Sequence, residues 1–168
     1  MLIIDGHICD WDMAFLGTVL KLLDSRLEEL DAVAATTSDP ESHGVCDHYE
    51  EVCGVGFVAC QRYLAAACGW LKIEKHVALT KGPRVPSGLT IAQAVNHAAN
   101  YWKHHDEWSG EETERELKTK RAIEGFGGTI GHDYPLSCVL AETTNRTCRL
   151  TDLIPRLEEW RNEIRNGA

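Results

Sequence analysis

From Trp11 to about Ala35, the residues Phe15, Val19, Leu20, Leu22, Leu23, Leu27, Leu30 and Val33 recur at helical spacing. Asp12, Lys21, Asp24, Arg26, Glu28 and Glu29 take the remaining positions. The pattern predicts a long amphipathic helix whose apolar set faces a core. It ends at Thr36-Thr37-Ser38-Asp39-Pro40, where proline and short polar side chains favour a turn. A second long helix is expected from about Ser42 to Leu71, with Asp39 as N-cap and Pro40 in its first turn. Its interior carries Gly54, Gly56, Ala59, Ala65, Ala66, Ala67 and Gly69. Each glycine weakens an isolated helix by roughly 1 kcal/mol, so the small residues imply close approach of another helix. Two long helices joined by a short turn form an antiparallel hairpin.

Beyond a Pro/Gly loop at Lys81–Leu89, Thr90 with Gln93 matches a capping box and opens a third helix that stops near Trp108. Ser109 with Glu112 matches a second box, opening a short charged helix to about Ile123. After the glycine-rich segment Gly125–Gly131, Asp133 and Pro135 read as cap and first turn of a helix to about Thr144. A last helix runs from Thr151 to about Arg165, with Leu153, Ile154, Leu157, Trp160 and Ile164 as its apolar side. No repeat, low-complexity tract or convincing strand interrupts the series. The expectation is an all-α fold: one domain over residues 1–168, a compact bundle of five or six helices built on a long antiparallel helical hairpin.

Composition agrees with a single globular domain: 168 residues, 43% hydrophobic and 26% charged. No run approaches the roughly 20 apolar residues a bilayer span needs. The start, MLIIDGHICDWD, lacks the basic-then-apolar layout of a signal peptide, so a cytoplasmic location is expected. A net charge of −9 opposes DNA coating and membrane-surface binding, while leaving room for contact with RNA at one local site. Seven cysteines, an odd number in helical segments, argue against a disulfide framework. Cys46, Cys53 and Cys60 repeat every seven residues and Cys68 follows eight later, as buried thiols on one helix face would.

Chemistry concentrates in Asn96–Trp108, NHAANYWKHHDEW. Asn100 and His104 share a helix face at i, i+4. Histidine titrates nearest neutrality and, once positioned, acts as acid or base. Ala99-Asn100-Tyr101-Trp102-Lys103-His104 resembles the Arg-polar-x-x-x-His motif of the HEPN superfamily of all-α domains. The resemblance implies a helical hairpin, homodimerisation and, in active members, a metal-independent RNA-cleaving site built by the motif arginine and histidine of two subunits. The polar residue maps onto Asn100 and the histidine onto His104, whereas the arginine position holds Ala99. Lys103 or Arg62 are the cations that could stand in. Lys103, Tyr101, Trp102, His105, Asp106 and Trp108 are the expected binding residues around the pair, with no metal or cofactor.

Three other constellations carry less. His104-His105-Asp106 contains the adjacent His-Asp pair of HD-type phosphohydrolases, with His48 or His76 and Asp133 as further ligands. His43-Gly44-Val45-Cys46-Asp47-His48 followed by Cys53, like His7-Ile8-Cys9-Asp10, offers zinc-type ligands. Cys46 and Cys53, however, would stand about 10 Å apart along one helix. The glycines of 125–131 lack the strand and the Gly-Lys-Ser/Thr ending of a phosphate loop, and read as a mobile turn with His132 and Asp133 at its end. The expected functions are thus a HEPN-like RNA-cleaving or toxin-type domain of a defence system, or its inactive relative. The alternative is a noncatalytic module that dimerises or binds a protein partner, with an HD-type phosphohydrolase as a distant third.

Overall fold

The computed structural model describes residues 2–4, 7–108, 113–127 and 134–167, residues 2–8 through their backbone only. Seven α-helices are present among them: α1 Trp11–Thr36, α2 Val45–Leu71, α3 Lys75–Ala78, α4 Ile91–His104, α5 Glu114–Glu124, α6 Pro135–Thr143 and α7 Leu153–Asn166. The all-α bundle is thereby established. Two short strands precede it, β1 Leu2–Ile4 and β2 His7–Cys9, paired antiparallel with Ile3 opposite Ile8. This hairpin departs from the strandless expectation. The run Leu2-Ile3-Ile4 favours extended backbone, and Asp5-Gly6 between the strands is a hairpin-type pair in sequence.

Helix α1 starts where the Asp10 carboxylate accepts the Met13 N–H at 3.1 Å. Met13, Leu16, Leu20, Leu27 and Leu30 are buried, whereas Trp11, Phe15, Leu22 and Val33 stand 71%, 71%, 69% and 47% exposed. The single amphipathic face expected from the pattern is therefore two faces. At 3.6 residues per turn the four exposed side chains fall within an arc of roughly 40°, opposite Leu20. Asp24 is also displaced from its expected polar face: it is buried, and its carboxylate accepts the Leu150 N–H at 2.6 Å, the Thr151 N–H at 3.0 Å and the Thr151 hydroxyl at 2.6 Å.

Helix α2 runs back along α1: Tyr63 donates its hydroxyl to Asp10 at 2.8 Å, and Val45 shares a cavity wall with Leu30. Its N-cap is Gly44, with φ 69°, rather than Asp39. Asp39 closes the preceding turn by accepting the Ser42 N–H at 3.2 Å. The inferred close approach along α2 is real at two glycines. A Cβ on Gly54 would stand 1.9 Å from Cδ1 of Trp102 on α4, and one on Gly56 would stand 2.5 Å from Cδ2 of Leu150. Cys53, Cys60 and Cys68 are buried free thiols, and burial pushes Cys60 up to about 12. By length and composition α2 is apolar enough to cross a membrane, with mean hydropathy 1.3, and over half of that window is buried in the bundle.

The Thr90–Gln93 capping box forms as predicted and starts α4. The second box is Thr113–Glu116, four residues beyond the expected pair, and Ser109–Glu112 lie outside the described residues. Asp133, the expected cap of α6, is likewise outside them. The Glu50 carboxylate of α2 serves that helix end instead, accepting the Leu136 and Ser137 N–H groups at 2.6 and 2.9 Å. Helix α7 closes the bundle: Arg161 pairs with Asp10 at 2.8 Å, both side chains under 10% exposed, and Trp160 Nε1 donates to the Ala78 carbonyl at 2.9 Å.

Candidate functional site

Helix α4 has one face for the core and another for a cleft. Ile91, Ala92, Val95, Ala98 and Ala99 are fully buried. Residue 99, onto which the resemblance would map an arginine, thus points into the core. Gln93, Asn96, His97, Asn100 and His104 turn the other way and line two neighbouring cavities, which share Asn100, Arg115 and Thr119 as lining.

The smaller cavity, about 330 Å³, contains Asn100 and His104 on one wall, Arg115, Glu116 and Thr119 on the other, with Glu107 and Trp108 at its end. His104 is half-exposed, and its Nδ1 lies 3.2 Å from Oε2 of Glu107. A carboxylate on Nδ1 fixes the ring and leaves Nε2 for proton transfer. Asn100 shares the cavity with His104, but its side-chain oxygen accepts from Gln61 Nε2 at 2.9 Å. Arg115, on the first turn of α5, places a guanidinium on the wall of this cavity.

The larger cavity, about 520 Å³, lies between α3, α4 and α5. Among the described residues, Lys75, Arg115 and Lys118 line it with one carboxylate, Glu74, in a chain of net charge −9. Gln61 organises the α4 side. Its Nε2 donates to Oδ1 of Asn96 at 3.0 Å and of Asn100 at 2.9 Å, while its Oε1 accepts from Lys103 Nζ at 2.7 Å. Partial burial, then Lys75 and Arg115, hold the Lys103 pKa below its ordinary value. His97 is kept neutral, pushed down to about 4 by burial and by Lys118. Its Nδ1 lies 3.4 Å from the Thr119 hydroxyl, which donates onward to the Arg115 carbonyl.

The other expected site residues divide. Trp108 reaches the smaller cavity. Tyr101 is buried, stacked on His105 at 4.7 Å and edge-on to Trp108 at 5.7 Å. His105 contacts Asp106 at 3.1 Å, away from the His104 wall. Trp102 faces α2, where its Nε1 donates to Glu51 at 3.1 Å. Arg62 borders a small groove with Phe15 between α1 and α2, and is not a cation of this cleft. Among the described residues no three His, Cys, Asp or Glu side chains gather as a metal-holding group. His132 and Asp133, named for the HD-type and glycine-loop readings, lie outside the described residues. Arg115, His97 and Gln61 entered no sequence expectation for the site. Compared with protein-family models, curated proteins and solved structures, the chain matches none.

Proposed function

We propose that the chain is a HEPN-like helical domain that cleaves RNA without a metal, with His104 as its proton-transfer group. The observation that carries this reading is the meeting of His104, Asn100 and Arg115 in one cavity, with Glu107 on the imidazole. In that role Nε2 of His104 takes the proton of a ribose 2′-hydroxyl as its oxygen attacks the adjacent phosphorus. The 5′-oxygen leaves, taking a proton from solvent water, and a 2′,3′-cyclic phosphate remains. Arg115 offsets the charge that develops on the phosphoryl oxygens. Asn100 and Trp108 shape the wall against which the strand lies.

Full-length protein with a structured RNA is expected to yield cyclic-phosphate ends in the presence of EDTA. His104→Ala should abolish the cleavage, and Arg115→Ala should slow it by about 100-fold or more. An intact RNA, or cleavage that survives His104→Ala, would sink the reading. A second reading, a dimerising or partner-binding module, is favoured by the outward stripe Trp11, Phe15, Leu22 and Val33 on α1. Absence of turnover together with a dimer broken by Phe15→Glu would select it.

A further inference from the structure

The larger cavity beside His104 has a hydrogen-bonding polarity of its own. Gln93, Asn96 and Asn100 lie along one face of α4 and line it, and each has its carboxamide oxygen already engaged by the protein. Oε1 of Gln93 accepts the Thr90 N–H at 3.0 Å within the capping box. Oδ1 of Asn96 and Oδ1 of Asn100 both accept from Gln61 Nε2. What each amide retains is its NH2 group, a pure donor. Across the cavity stand Lys75, Arg115 and Lys118, donors without acceptor capacity. Against these six, Glu74 is the one carboxylate among the described residues that lines the space.

A surface of donors and cations selects an acceptor-rich anion, and charge-assisted bonds of this kind are roughly twice as strong as neutral ones. We propose that this cavity is an oxyanion site that takes a phosphate group, separate from the His104 cavity that it adjoins. Arg115 lines both spaces and is the bridge between them. If the cleavage reading above holds, the site anchors a neighbouring phosphate of the strand. The oxyanion site itself rests on the donor array and not on that reading.

The test uses the full chain at low ionic strength, with calorimetric titration of inorganic phosphate and competition against a short RNA carrying either a 5′-phosphate or a 5′-hydroxyl. Phosphate is expected to bind, and Gln93→Glu to weaken it at least about ten-fold by replacing a donor with a carboxylate oxygen. This substitution keeps the capping-box acceptor, so the thermal midpoint should hold. Lys118→Ala should weaken phosphate as well, while His104→Ala should not. Tighter binding of the 5′-phosphorylated RNA identifies a terminal phosphate as the ligand, and equal binding displaced by phosphate identifies backbone phosphates. Absence of phosphate binding, or a Gln93→Glu protein that binds it as the unaltered chain does, overturns the proposal. Phosphate binding without RNA cleavage leaves the site standing and removes only the cleavage reading.

Discussion

Helices α1 and α4 both alternate apolar and polar residues at helical spacing, yet they resolve the alternation differently. Helix α4 divides cleanly: alanines, valine and isoleucine inside, amides and histidines on the cleft. Helix α1 places leucines inside together with Asp24, and leaves two aromatic residues, Leu22 and Val33 in solvent. The difference teaches that polarity alone does not decide burial. Asp24 is inside because three donors near Leu150 meet its carboxylate, and Phe15 is outside because α1 already has a complete leucine face.

The strongest way to break this comparison is to put charge on the closed face of α4. Ala99→Arg completes the resemblance to the Arg-polar-x-x-x-His pattern but sets a guanidinium in a fully buried position. It should cost about 4 kcal/mol or more in urea unfolding, with no gain in RNA cleavage. On the inner face of α1, Asp24→Ala strands the Leu150 and Thr151 N–H groups. A loss of about 3 kcal/mol is expected by the same measurement.

A smaller effect separates the cleft face by pH. The folded pKa of His97 is about 4, below its ordinary 6.5, so the unfolded chain protonates first. Its contribution to stability is full above 6.5, falls as pH drops toward 4, and then levels, by roughly 2–3 kcal/mol. Glu50 acts in the opposite sense. Burial raises it to about 6 from 4.5, so it costs stability as pH rises through that interval. His97→Gln should therefore remove the acid loss and leave the Glu50 slope visible, in midpoints measured between pH 4 and 7. Smallest of all, Phe15→Ser on the outer face of α1 should change the stability of the monomer by no more than about 0.5 kcal/mol. A larger loss that depends on protein concentration would show that this face is covered by a second copy.

Much of the fold was legible because helix termini carry local chemistry. Thr90 and Gln93 announced α4 within two residues of its observed start. The start of α5 was misplaced because Ser109-x-x-Glu112 and Thr113-x-x-Glu116 match the same pattern, and the box that caps α5 is the Thr113 one. The hairpin Leu2–Cys9 was missed although Asp5-Gly6 flags it, because each strand has only three residues. At the site, Asn100 and His104 were readable from their spacing. Arg115 was not, since nothing near Arg115 in sequence shows that α5 packs on α4. Gln61 was invisible for the same reason: its partners lie 35 to 42 residues away.

Gln61 also sets which way two of the cavity's amides are turned. Its NH2 fixes both asparagine oxygens, and its oxygen holds Lys103. Gln61→Glu exchanges one nitrogen for an oxygen. One carboxylate oxygen keeps Lys103, and the other now accepts, so both asparagine amides must rotate to donate to it. Two carbonyl oxygens then face the cavity where two NH2 groups stood. With the backbone unmoved, the cavity loses two of its donors while Lys75, Arg115 and Lys118 stay in place, so titration with inorganic phosphate should register a weakened site and not an abolished one.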